Sequence, residues 1–386
     1  MLNFVFCVPT KIYFGKTKLS ALSVELKARA KKILIVTGCG SVKVNGVFSK
    51  VLEEVKKAGI DWVELSGVVP NPRVEKVYEG IKLCSDEECD FVLAVGGGSV
   101  IDTAKAIAAG VKCEGDVWDF FENHTGPKDA LPIGTVLTVA ATGSEMNGNT
   151  VITRFNSNDK RSTNSPVLIP VFSILNPEFT FTVNKFHTAC GVADIMSHVF
   201  ESYFAPIPHS AVQDYFCEGI LKTCLDYGQL VIDEPENYDA RANIMWASTM
   251  ALNGVAKLGK ISDFIGHAIE HELSGLYDIS HGAGLAIIFP NLMKVLVNSE
   301  TFPNFVSYAK NVWGLTGDDK VIVSESIEKT RCFFNTLGLP SCLSEINIDS
   351  RDFACIADNA YKRRGKIGHY KQLSKADILR VLELSH

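Results

Sequence analysis

The stretch FVLAVGGGSVIDTAKAIAAG, residues 91–110, runs a buried, β-branched strand into three consecutive glycines and then into a helix that the pattern starts near Ser99. A helix that opens straight after such a turn offers its first backbone N–H groups and the positive end of its dipole to an anion, typically a phosphate. Residues without side chains let that anion come close. The pattern is not GxGxxG, and a doubly wound sheet needs many tight turns that bind nothing, so a purely structural turn stays open at this point. Its place favours a ligand, because such sheets collect ligands at the carboxyl ends of their central strands.

Outward from this turn, short apolar runs such as KILIVTG (32–38), DWVELSG (61–67) and PIGTVLTV (132–139) alternate with amphipathic segments such as VFSKVLEEVKKAG (47–59). That alternation predicts a parallel sheet with helices on both faces. Beyond residue 185 the strand signals fade. Helical patterns follow at 211–228, 240–257, 284–299 and 324–338, which predicts an all-α second half. Residues 150–184 mix extended pieces with polar turns and are read as the tail of the first half. The expected division is an α/β dinucleotide-binding domain, 1–184, and an all-helical domain, 185–386.

A chain of 386 residues with 46% hydrophobic content can bury two cores. Its net charge of -6 offers no basic footprint for nucleic acid or an anionic membrane, so the expected partner is a small molecule or another protein. The eleven cysteines are odd in number, run from Cys7 to Cys355 and form no CxxC pair. They predict reduced thiols in a cytoplasm rather than a disulfide framework or a cysteine zinc site. The opening residues MLNFVFCVPTKIYFGK lack a charged segment ahead of an apolar run, and nowhere do 18 apolar residues follow one another. The chain is therefore read as unexported and without a membrane span.

Two windows of the helical half carry chemistry. In GVADIMSHVFESYF (191–204), Asp194 and His198 stand four residues apart and share a helix face. That pair is either a hydrogen-bonded couple at the edge of a core or half of a metal site. In DFIGHAIEHELSGLYDISHGAGLAIIFP (263–290), His267 and His271 are again four apart, and His281 opens the next apolar helix. Each histidine alone is as easily a core or surface residue. Five such side chains in two short apolar windows weaken that reading, because burying imidazoles without partners is costly. Asp194, His198 and two of the later histidines would bind a divalent transition metal with one position open to substrate. His124, His187, His209, His369 and His386 have no such neighbourhood and are read as ordinary polar residues.

Taken together, the GGGSVID turn (96–102), TVLTVAATGSEMN (135–147), ADIMSH (193–198), YDARANIMWASTMALNG (238–254) and GHAIEHELSGLYDISHGAGLAI (266–287) resemble the iron-containing (type III) alcohol dehydrogenases. Within that family they resemble the NADPH-dependent butanol dehydrogenase and aldehyde reductase branch, over nearly the whole chain. The resemblance implies a Rossmann-like dinucleotide domain followed by an all-helical metal domain, the plan also found in dehydroquinate synthases. It implies hydride transfer between NAD(P)H and short-chain aldehydes or alcohols, and a homodimer.

Carried over by position, the resemblance makes Asp194, His198, His267 and His281 the metal ligands, with Fe2+ expected first and Zn2+ next. His271 matches a histidine that lies toward nicotinamide and substrate and is the candidate for passing a proton. Gly97, Gly98 and Ser99 match the pyrophosphate turn and Asp102 a residue near the cofactor. Thr138 and Thr142 match the segment that lines the cofactor, and Lys160 a lysine that reaches its ribose. Asn176-Pro177 departs from the common Asp-Pro, and GKIGHYKQLSKADI (365–378) matches only loosely. Two rival functions are a dehydroquinate-synthase-like lyase that uses its nucleotide transiently and a metal-binding protein without catalysis.

The turn TGCGSVKVNG (37–46) speaks to the cofactor. Folds that select NAD commonly place a carboxylate at the end of such a strand, where it would repel a 2′-phosphate. Here Cys39 stands at that position, with no acid between Thr37 and Asn45. Gly38 and Gly40 can bring N–H groups close, Ser41 can donate, and Lys43 is a cation within reach. NADP(H) is expected to be preferred over NAD(H). Gly97→Val is expected to exclude the cofactor by bulk.

Overall fold

Strands β2 (Lys32–Gly38) and β4 (Phe91–Gly96) are apolar on both faces because helices cover both sides of the sheet they share. On one side Ile33, Ile35, Leu93 and Val95 pack with α1 (Ala21–Arg29) and α3 (Val47–Ala58). On the other side Leu34, Val36 and Ala94 pack with α4 (Val74–Asp86) and α5 (Gly98–Gly110). The computed structural model describes all residues except 124, 365–367, 369 and 370. The readings of His124 and His369 as ordinary polar residues, and most of GKIGHY, therefore lie outside the described residues.

With β1 (Lys11–Phe14), β3 (Asp61–Val68), β5 (Ile133–Leu137) and β8 (Phe172–Leu175), the six strands form one sheet in the order β1-β8-β5-β4-β2-β3, every pair parallel. The chain leaves β2 toward β3 at one edge and leaves β4 toward β5 on the other side. The crevice beyond the carboxyl ends of β2 and β4 is thus the switch point at which sheets of this kind take their ligands. A separate antiparallel hairpin of β6 (Asn149–Arg154) and β7 (Asp159–Asn164) pairs Thr153 with Lys160. Between β1 and α5 lie the short α2 (Ser41–Val44) and, after α5, α6 (Asp119–Glu122). Asn176 accepts from the Glu178 N–H at 3.1 Å and so caps the turn after β8, a task for which its amide serves as well as a carboxylate.

This compact unit spans Cys7–Val183 and also takes in Pro235–Thr249, a segment whose sequence reads with the helical half. The reason is local packing of α9 (Tyr238–Ala251): Met245 joins the apolar cluster of β2, β4, α4 and α5, and Trp246 meets Phe14 edge-on at 5.8 Å. Thr249 donates to the buried carboxylate of Glu145 at 2.6 Å.

The second unit comprises Met1–Phe6, Asn184–Glu234 and Met250–His386. Its helices are α7 (Lys185–Tyr203), α8 (Ala211–Asp233), α10 (Ile265–Tyr277), α11 (His281–Leu296), α12 (Phe302–Ser307), α13 (Asp319–Thr336), α14 (Phe353–Arg364) and α15 (Lys375–Leu384). Asn184 caps α7 by accepting from the His187 N–H at 2.8 Å. Buried on nearly every face from Thr188 to Tyr203, α7 packs against α8 and α11, and α11 against α10. Among the described residues no helix is long and apolar enough to cross a membrane.

Candidate functional site

Successive turns of α7 carry Asp194 and His198, the first turn of α10 carries His267, and His281 is the first residue of α11. All four meet at one oxygen. Asp194 Oδ1 lies 3.6 Å from His198 Nε2, 3.8 Å from His267 Nε2 and 3.7 Å from His281 Nε2. These distances are too long for hydrogen bonds. Asp194 Oδ1 and His267 Nε2 are buried and have no hydrogen-bond partner among the described residues. Polar atoms left so cost free energy unless something else binds them. Two ligands each about 2.1 Å from a shared cation stand roughly 3.0–3.4 Å apart, so the spacing fits a divalent ion after a small contraction. The donor atoms of Asp194, His267 and His281 lie within 4.8 Å of one another, while His198 joins through Asp194 and through a stacked contact with His267 at 4.7 Å.

The electrostatics of this cluster follow from burial and mutual charge. Burial alone would raise the Asp194 carboxyl, but His198, His267 and His281 outweigh it and hold it far below the carboxylate range. Burial pushes His198 down to about 3, with Asp194 opposing. Burial would also lower His267, yet the Asp194 and Glu201 carboxylates prevail and raise it to about 9.

Two further acids stand behind this cluster, and sequence reasoning passed over both. Glu201 Oε1 lies 3.0 Å from His267 Nδ1, and Glu270 Oε2 contacts His281 Nδ1. Their signal was available: each glutamate follows a histidine by three residues, His198 to Glu201 and His267 to Glu270, inside the same apolar windows. His271 is buried beside them, its ring 5.3 Å from that of His281 and 6.5 Å from that of His267.

In the sheet unit, Gly97 is extended and α5 begins at Gly98. A side chain at either position has no room: a Cβ at Gly97 would stand 2.9 Å from Val139 Cβ, and one at Gly98 2.5 Å from Thr142 Oγ1. The 138–143 loop thus lies on the turn, joined to it by Thr138 N–H donating to Gly96 at 3.0 Å. This alters the expectation for Gly97→Val. The variant would collide with Val139 whether or not a cofactor binds, so it tests the packing of the turn before it tests phosphate.

Asp102 accepts from Ser144 Oγ at 2.7 Å and from the Val151 N–H at 3.1 Å, which ties the segment after the loop to α5. Burial raises its carboxyl above the usual value, with Lys105 the main opposing charge. Lys105, fully buried, donates to Ser144 Oγ, Asn147 O and Asn149 O, each at 2.8 Å, and burial pushes its amine down to about 8. Lys160 donates to Asn71 Oδ1 at 3.0 Å, beside the end of β3.

The turn after β2 stands at the carboxyl end next to that of β4, so the structure brings residues 38–43 and 97–99 to adjacent strand ends. Cys39 is exposed, with Sγ 3.5 Å from Val68 O, and Gly40 takes φ 114°, the left-handed region that favours glycine. An acid is present here after all. Glu64, one strand over on β3, accepts from Thr37 Oγ1 at 2.9 Å and pairs with Lys43 Nζ at 2.8 Å.

The chain's first half matches the family model "Iron-containing alcohol dehydrogenase" over residues 9–177, and the second half matches "Fe-containing alcohol dehydrogenase family, C-terminal" over 188–385. It is 44% identical to NADH-dependent butanol dehydrogenase A of Clostridium acetobutylicum, with 100% of both chains covered. It is 39% identical to the NADPH-dependent aldehyde reductase YqhD of Escherichia coli, with 90% of each covered. Among solved structures it is similar to NADH-dependent butanol dehydrogenase A of Thermotoga maritima, with a TM-score of 0.96, 40% identity and coverage of 100% of this chain and 99% of that one. On these matches, and on a parallel sheet joined to a helical unit with the donor cluster described, the chain belongs to the iron-containing alcohol dehydrogenase family.

Proposed function

We propose that Asp194, His198, His267 and His281 hold a divalent metal, Fe2+ first and Zn2+ next, in an alcohol dehydrogenase or aldehyde reductase that moves hydride between a nicotinamide and a short-chain aldehyde or alcohol. Family membership carries the class of reaction and implies both a nicotinamide cofactor and iron. The observation that supports the metal assignment is the buried Asp194 oxygen, 3.6–3.8 Å from three imidazole nitrogens and without a hydrogen bond from any described residue. A bound divalent ion supplies Lewis acidity, which polarises a carbonyl and favours deprotonation of an alcohol.

The chain's own residues do the rest. Asp194 offsets one of the ion's two charges, and the three imidazoles bind as neutral ligands. His271, buried 5.3 Å from His281, is the group that passes a proton between the product oxygen and solvent, a task an imidazole performs as donor on one nitrogen and acceptor on the other. The N–H groups at Gly98 and Ser99 receive the cofactor's pyrophosphate, with Thr138, Thr142, Asp102 and Lys160 shaping and bounding that site. Metal analysis of the purified protein, paired with loss of NADPH absorbance on adding butyraldehyde, tests this reading. Bound metal without turnover would favour a non-catalytic binder. The eleven unpaired thiols suit a cytoplasmic setting.

NADPH is the proposed preferred form. The turn leaves space for a 2′-phosphate, but Lys43 reaches that phosphate only by leaving Glu64, whose charge would then repel it. Glu64→Gln is expected to raise the affinity for NADPH relative to NADH about tenfold, and Lys43→Met to lower it by a similar factor. Dissociation constants from nicotinamide fluorescence check both; an unchanged ratio in both variants would remove this turn from cofactor selection.

A homodimer is proposed from the N-terminus. Met1, Leu2, Phe4, Val5 and Phe6 are 47–94% exposed in a segment without a charged side chain before Lys11. An uncovered apolar run of this kind suits a second copy of the chain. Phe4→Lys with Val5→Lys is expected to halve the mass seen by light scattering.

A further inference from the structure

We propose that Glu201 and Glu270 are positioning residues that fix the orientation and tautomer of His267 and His281, and so set how tightly the metal is held. The inference rests on the metal reading above and adds two residues to it. Glu201 lies on α7 one turn after His198, and its carboxylate spans the start of α10. Oε2 accepts from the Ile265 N–H at 3.0 Å, and Oε1 from the His267 N–H at 3.2 Å while standing 3.0 Å from His267 Nδ1. Glu270 lies on α10 one turn after His267; Oε1 accepts from Ser274 Oγ and Oε2 contacts His281 Nδ1. Each helix thus supplies a ligand and, three residues on, the carboxylate that orients the ligand of the next helix.

The tautomer follows from the acceptor. A carboxylate facing Nδ1 requires the proton there, which leaves the Nε2 lone pair free toward Asp194. His198 differs, because its Nδ1 has no hydrogen-bond partner among the described residues. The fold makes specific room for the second carboxylate: a Cβ at Gly284 on α11 would stand 2.8 Å from Glu270 Cγ and 2.9 Å from its Oε1. The glycine in HGAG is therefore a seat for Glu270, and Gly284→Ala should displace it.

The test is Co2+ and Zn2+ affinity of the full chain, measured by chelator competition, together with the visible spectrum of the Co2+ form and thermal unfolding without metal. Glu201→Gln and Glu270→Gln are expected to weaken both metals about 10- to 100-fold and to shift the Co2+ bands. Gly284→Ala should weaken binding likewise, and should add little in a Glu270→Gln background. Wild-type affinity and spectrum in the Gln variants would overturn the proposal, as would lost metal-free stability with normal affinity. Should a Gln variant not fold, Gly284→Ala decides for Glu270 and Glu201→Asp for Glu201 by the same measure. Failure of the wild-type chain to bind either metal would instead reject the metal reading itself.

Discussion

His267→Ala and Asp194→Ala are expected to lose the bound metal and at least about a thousandfold of kcat/KM, the scale reached when the principal electrostatic stabiliser of a developing charge is removed. Secondary structure should survive, because α7, α10 and α11 bury their own apolar faces: Ile195, Val199 and Phe200 on α7, Ile269 and Leu273 on α10, Leu285 and Ile288 on α11. Asp194→Ala should bind least, since it removes the oxygen that all three imidazoles face. His271→Ala is the control: it should keep its metal and lose turnover. Elemental analysis, circular dichroism and steady-state rates separate the outcomes. Normal metal content and turnover in Asp194→Ala would reject the ligand set, and metal loss in His271→Ala would show that a wrong histidine had been assigned.

Lys105→Met should be the most destabilising single change in the sheet unit, by about 3–5 kcal/mol, the usual result of removing one partner from a buried charged network. Lys105 ammonium and Asp102 carboxylate meet through one hydroxyl: Ser144 Oγ accepts from the amine at 2.8 Å and donates to the acid at 2.7 Å. Glu145, fully buried, also feels this cation, although burial still raises its carboxyl. Methionine fills the volume but leaves the carbonyls of Asn147 and Asn149 without their donor and both acids without the opposing cation.

The pH dependence gives a second readout. The folded amine sits near 8 and the unfolded one near 10.5, so between those values the unfolded chain binds more protons and stability rises with pH. Lys105→Met should abolish that slope. Hydrogen exchange of the 91–110 and 142–151 segments locates the loss, since two units need not unfold together. Unchanged exchange there would mean that the network contributes little.

How far the chain could be read without coordinates depends on the range of the interaction. KILIVTG and DFVLAVGG announce buried strands because a parallel strand covered on both faces has to be apolar throughout, and the observed β2 and β4 are. β1 is only four residues, KIYF, half-exposed, and carries no such signal; pairing with β8 makes it a strand. The helical pattern at 240–257 is plain in the sequence, but which core its apolar side joins is not, because Met245 and Trp246 suit either.

The site divides along the same line. Sequence alone determined that Asp194 and His198 share a helix face, that His267, His271 and His281 crowd one apolar window, and that glycines follow the central strand, because helix and strand periods are local properties of the chain. Only the tertiary structure decided that α7, α10 and α11 converge on a single carboxylate oxygen and that Glu201 and Glu270 stand behind two of its histidines. It also decided that β3 carries Glu64 to a turn with no acid of its own, and that Gly97 and Gly98 are glycines because Val139 and Thr142 lie against them. These are contacts between residues far apart in the chain, and no period or propensity encodes which distant side chain will arrive.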